Sequence, residues 1–186
     1  LVLAIVTTLW LLVVGAASIL AGWFYTGGKH PYGYLGFGEL FVFVFFGLVA
    51  TVGSSFVLSE RLTALAWQMG VAVGALACAL LVTNNLRDIP TDREVGKRTL
   101  AVRLGDARTR TLFIVLVVGG VLVGAAAVWE RPLALVILIV LAVAWAPVRA
   151  VRAGATGREL IVVLGGTARV QMAFGVVATV ALAVSA

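Results

Sequence analysis

An all-α bundle embedded in a membrane is the fold this sequence predicts, and three observations predict it. Only 12% of its 186 residues are charged, against about 25% in a soluble domain. Mean hydropathy is +1.14 and 62% of residues are hydrophobic. The apolar residues fall in runs of about 20, the length that crosses a hydrocarbon core as a helix. Lipid tolerates only helices or closed barrels, and the runs lack the period-two alternation of a barrel strand.

Six runs qualify as spans: 1–24, 38–58, 62–84, 110–129, 132–148 and 160–185. They form one transmembrane domain over 1–186. The first run begins at Leu1 with no basic leader and no small-residue cleavage site, so it reads as a span and not as a signal peptide. The chain accordingly reads as the later part of a longer protein. Gly70-x-x-x-Gly74 and Gly120-x-x-x-Gly124 are small-residue pairs of the kind that let helices approach closely. Cys78 has no cysteine partner in this sequence, so it cannot make an internal disulfide. Gln68 and Arg169 interrupt apolar runs and are functional candidates on that ground. Arg169 has a plain alternative: a span starting near Thr167 still measures about 28 Å, and the arginine then snorkels to the surface.

The connections are 25–37, 59–61, 85–109, 130–131 and 149–159. By alternation the first, third and fifth share one membrane side. They hold eleven basic residues, counting Arg110, against two on the other side, Arg61 and Arg131. The positive-inside rule makes the basic side cytoplasmic, in a cell membrane. Loop asymmetry therefore accounts for the net charge of +6 without nucleic acid as a partner.

The longest connection reads "NNLRDIPTDREVGKRTL" from Asn84. Asn84, Asp88 and Asp92 recur every four residues, which on a helix puts them on one face. Two carboxylates that close repel by up to about 4 kcal/mol at 4 Å. Hard oxygen donors of this kind suit Mg²⁺ shared with phosphates, and Arg93, Lys97 and Arg98 follow to bind remaining phosphate charge. The competing reading is a solvated loop in which both acids pair with Arg87, Arg93 and Lys97. Pro90 restricts the shared face to the case in which it starts a new turn.

The stretch "NNLRDIPTDREVGKRTLAVRLGD" resembles the second aspartate-rich motif of the UbiA superfamily of intramembrane prenyltransferases. "YTGGKHPYGYLGFGELFVFVFFGLVATVG" over 25–53 is similar to the branch of that family that prenylates 1,4-dihydroxy-2-naphthoate, and contains Tyr25-x-x-x-Lys29. The tail around "GRELIVVLGGTARVQMAFG" resembles it more weakly. The resemblance implies nine helices, of which the six runs correspond to the last six. The family's first aspartate motif is missing here, which implies that this stretch alone is inactive.

It also implies a reaction and its roles. Asp88 and Asp92 hold Mg²⁺ bridged to a polyprenyl diphosphate, and Asn84 and Asn85 bond at the same site. Arg87, Lys97, Arg98 and Lys29 contact the diphosphate, and Tyr25 orients the leaving group or faces the allylic cation. The acceptor is 1,4-dihydroxy-2-naphthoate, prenylated with loss of CO₂ and diphosphate in menaquinone biosynthesis. Other acceptors (4-hydroxybenzoate, a porphyrin-derived ring, a sugar phosphate) remain open. So does a transporter or scaffold bundle, although transporters carry their charge near the midplane on broken helices. A CDP-alcohol phosphotransferase is excluded because no Asp-Gly pair precedes Asp88. Gly27-Gly28 reads as a turn and His30 as a loop residue. Glu39, early in an apolar helix, is either stabilised by the helix dipole or set near the acceptor.

Overall fold

The computed structural model describes residues 2–28 and 31–185. All regular structure in them is helical. Five helices are long and apolar enough to cross a bilayer: Gly38–Ser59, Ala64–Glu94, Asp106–Trp129, Pro132–Arg152 and Gly157–Val184. This is a multi-pass membrane protein.

The expected span over 1–24 needs correction. Val2–Val6 and Trp10–Thr26 are separate helices, and the second has 17 residues, short for a span. The break falls at a Thr7-Thr8 pair. Thr8 Oγ1 accepts a hydrogen bond from the Trp10 N–H at 3.4 Å, a local bond that competes with the helical ladder.

The connection expected over 85–109 is also corrected. The helix that contains it runs unbroken from Ala64 to Glu94, so Asn84, Asp88 and Asp92 stand on a helix. Pro90 lies inside it, removing the rung to the Leu86 carbonyl at a cost of about 3 kcal/mol. Burial decides the outcome. Val82, Leu86 and Ile89 are 1%, 3% and 7% exposed and join one core with Ala101. Each such side chain contributes about 1.5–3 kcal/mol when buried, so the stripe outweighs the proline. A further short helix, Leu100–Leu104, follows, started by Thr99, whose Oγ1 accepts from the Val102 N–H.

Ala64–Glu94 is the central element, packed against Gly38–Ser59, Asp106–Trp129 and Gly157–Val184. Its 31 residues measure about 46 Å at 1.5 Å each, beyond the roughly 30 Å of hydrocarbon. The polar end therefore projects past the apolar zone. Gly38–Ser59 is wound as a π-helix over Phe43–Val52, and it meets the central helix glycine to glycine. A Cβ at Gly47 would stand 2.6 Å from Gly74 Cα and 2.7 Å from the Gly70 carbonyl oxygen. The Gly70/Gly74 pair is thus a packing surface. Gly124 serves likewise, with the Phe174 ring 2.5 Å from where its Cβ would be.

Side chains and backbone tie the ends together. The Arg98 N–H donates to the Tyr34 carbonyl at 2.9 Å, joining the first connection to the third. Arg110 donates to the carbonyls of Val151 and Ala155 at 2.9 and 3.0 Å, joining the third to the fifth. At the opposite end Arg131 donates to the Ser185 carbonyl at 3.0 Å. The three basic connections thus gather at one end, as alternation expected. Gln68 donates from Nε2 to the Val123 carbonyl at 2.7 Å, a helix-to-helix tie that accounts for a polar group in an apolar run. Arg169 is exposed on a helix that begins at Gly157, and it donates to the Gly165 carbonyl at 3.3 Å.

Candidate functional site

The projecting end of the central helix carries the acids. Asp88 receives both arms of its neighbour: Arg87 Nε donates to Oδ1 at 2.7 Å and Nη2 to Oδ2 at 2.8 Å. Asp92 is buried at 7% exposure, with Lys97 Nζ 3.3 Å from its Oδ1. The chain past Glu94 folds back to make that pair, because the Lys97 N–H donates to the Asp92 carbonyl at 2.8 Å. Gly96 turns it with φ 75°. Lys97 Nζ also lies 4.6 Å from the centre of the Tyr34 ring. Its ammonium pKa is raised above the ordinary 10.5, chiefly by the hydrogen bond to Asp92, with partial desolvation opposing.

The second segment reaches the same end. Tyr25 closes the helix Trp10–Thr26, and Gly28, at φ 83°, makes the expected turn. Lys29 and His30 lie outside the described residues. The strap from Pro31 to Phe37 contains a 3-10 turn, Tyr32–Leu35, and runs beside the fold-back at 95–99. Tyr25 packs edge-on against Tyr32 at 5.6 Å, and Tyr32 stacks on Phe41 at 3.8 Å. The Tyr32 hydroxyl donates to the Ala21 carbonyl at 2.6 Å. This aromatic series borders a cavity of 620 Å³ between Trp10–Thr26 and Gly38–Ser59.

Both segments named from the sequence therefore meet, and Arg98–Tyr34 is the backbone bond that joins them. Asn84 is half-buried at the projecting end, and its neighbour Asn85 donates from Nδ2 to Glu39 Oε1 at 2.9 Å. Arg98 is exposed, with its backbone rather than its guanidinium engaged: the carbonyl accepts from Arg103 Nε at 3.1 Å. Among the described residues no three His, Cys, Asp or Glu side chains form a metal-sized group. What stands ready is a pair of carboxylates on one helix face, each neutralised by a basic group that a phosphate could engage instead.

One participant escaped the sequence reading of the site, and a second was read there without its partner. Tyr34 had no signal beyond membership of the loop. Glu39 had one, an acid in an apolar run, but not the partner it would take.

Comparison with known proteins bears on this geometry. Residues 1–159 match the UbiA prenyltransferase family. The chain is similar to the 1,4-dihydroxy-2-naphthoate octaprenyltransferase of Mycobacterium tuberculosis, 48% identical over 184 residues that cover 98% of this chain and 63% of that protein. It is also similar to the protein so named in Bacillus subtilis, 30% identical over 186 residues, 95% of this chain and 58% of that one. A UbiA prenyltransferase domain-containing protein 1 from Dictyostelium discoideum is 30% identical over 95 residues, 51% of this chain and 29% of the other. The chain thus spans less than two thirds of the length of these relatives. No solved structure matches it significantly. With the family match running through the central helix, both acids and the aromatic strap, this chain belongs to the UbiA prenyltransferase family.

Proposed function

We propose that the protein transfers a polyprenyl group from polyprenyl diphosphate to 1,4-dihydroxy-2-naphthoate, with loss of CO₂ and diphosphate, as a step of menaquinone biosynthesis. The observation that carries this reading is the paired-carboxylate end of the central helix, closed by the strap that bears Tyr34. The names of the relatives supply the acceptor.

Asp88 and Asp92 are hard oxygen donors on one face and would hold Mg²⁺. Bound there, the ion would neutralise charge on the departing diphosphate. Arg87 and Lys97 already sit on those carboxylates, and both can swing to phosphate oxygens, Arg87 as a fork and Lys97 as a point charge. Arg98 and Lys29 would add positive charge, and Asn84 a hydrogen bond. Such groups, fixed where negative charge develops, lower the barrier to leaving. Tyr25 and the apolar walls would keep water from the allylic cation until the ring attacks.

The reading includes a cytoplasmic membrane with the basic connections on its inner side. It is supported by the bias of eleven basic residues against two and by the ties that gather those connections.

The test is turnover by the full-length protein in membranes, given polyprenyl diphosphate and a panel of acceptors. Asp88→Ala should abolish transfer while insertion and folding persist. Undiminished transfer by that variant, or by the native protein after chelation of divalent cations, overturns the reading.

A further inference from the structure

The reading above leaves one buried acid unused. Glu39, in the first turn of Gly38–Ser59, is 8% exposed. Its Oε1 accepts from Asn85. Its Oε2 is buried and has no hydrogen-bond partner among the described residues. Either protonation state is costly: a carboxylate oxygen then lacks a donor, and a carboxyl O–H lacks an acceptor. A packing role gives no reason for this, since the adjoining "LFVFVFF" fills the same helix with apolar side chains.

The partner of Oε1 places the acid in the fold. Asn85 precedes Asp88 by three residues and Asp92 by seven, which on a helix is within about 60° and 20° of them. Glu39 therefore meets the central helix on its acid-bearing face, one turn deeper than Asp88. Its backbone is fixed there, for Cys78 Sγ donates to the Glu39 carbonyl at 3.0 Å. A side chain at Gly38 would come 3.6 Å from the Tyr25 hydroxyl, so the ring of Tyr25 adjoins the same point.

A partner for Oε2, which has none among the described residues, must donate a hydrogen bond and tolerate an apolar, aromatic surround. A phosphate is an acceptor and is repelled by a carboxylate. An ammonium would carry a large desolvation cost into this setting. A hydroxyl on a flat ring meets both demands.

We propose that Glu39, braced by Asn85, recognises the aromatic acceptor: Oε2 accepts a hydrogen bond from a ring hydroxyl one helical turn below the diphosphate. This rests on the prenyl-transfer reading and adds to it a residue that selects hydroxylated rings.

The test is steady-state kinetics of the full-length protein and its Glu39→Gln variant, with 1,4-dihydroxy-2-naphthoate and its mono-methyl ethers as acceptors. Glu39→Gln should raise the acceptor KM by about fivefold to tenfold, the size expected of one lost hydrogen bond. The KM for polyprenyl diphosphate should hold, and the preference for the free hydroxyl over the ether should shrink. A variant that shifts both KM values alike, or lowers only the melting temperature, overturns the inference and makes Glu39 a packing residue. Should Glu39→Gln fail to fold, Glu39→Asp keeps the carboxyl group one methylene short, and a native acceptor KM in that variant is equally fatal. A native enzyme that prenylates the naphthoate, with both variants unaffected, sinks this inference alone. A native enzyme that prenylates no hydroxylated ring sinks the parent reading as well.

Discussion

Lys97 holds its ammonium 4.6 Å from the centre of the Tyr34 ring while standing 3.3 Å from Asp92 Oδ1. One side chain thus links the strap to the acid helix. A cation over an exposed ring contributes about 0.5–1 kcal/mol. Tyr34→Leu should therefore raise the KM for polyprenyl diphosphate by roughly twofold to fivefold, and Tyr34→Phe should not. Kinetics of the two variants side by side check this.

The same lysine gives a pH expectation. Its pKa is raised above 10.5 in the folded protein, first by the Asp92 hydrogen bond. A raised pKa means the pair stabilises the fold-back fully below the unfolded value and loses that contribution as pH rises through the folded one. Amide exchange at Lys97 and Arg98, corrected for the intrinsic rate, should be flat from neutral pH to about 9 and rise only above about 10.5. A rise near neutrality would contradict the pair.

Asp92 is buried and Asp88 half-buried, so replacing either with isosteric asparagine tests charge with little change of shape. Asp88→Asn and Asp92→Asn should each cut kcat by roughly 100-fold or more, about 3 kcal/mol of lost transition-state stabilisation. Melting temperature in detergent should move little, because each acid leaves a basic neighbour that water can reach.

Gly36 has φ 83°, where an L side chain costs about 1–2 kcal/mol. Its Cβ would also stand 2.9 Å from Arg103 Nε and 3.0 Å from the Arg98 carbonyl oxygen. Gly36→Ala should loosen the strap and speed hydrogen exchange at the Arg98 amide, with the transmembrane helices unchanged.

Gly47 touches Gly70 and Gly74 across the helix pair. Any larger side chain must push two backbones apart, and overpacking typically costs about 1–3 kcal/mol. Gly47→Leu should lower the melting temperature well before Gly53→Leu does, since a Cβ at Gly53 meets nothing within 4 Å.

Much of this architecture could be read from composition and periodicity. The helices after Glu130 appear where long apolar runs required them, and the basic connections are tied together at one end as alternation expected. Both segments of the candidate site carried the family resemblance in their own residues. Two features were not legible in this way. Helicity through Pro90 depends on Leu86 and Ile89 finding a core contributed by Ala101 and later residues, which no local rule contains. The Asn85–Glu39 bond spans 46 residues, and nothing in either segment names the other. The break within the first run has the opposite origin. Hydropathy is blind to a threonine pair that prefers its own neighbours to the ladder.

Pro90 sits between Asp88 and Asp92, so the unmade rung to Leu86 falls among the very turns that carry the two acids. They ride on stretches of one rod joined by a softened coil. One helical hydrogen bond fewer therefore separates the turn of Asp88 from the turn of Asp92.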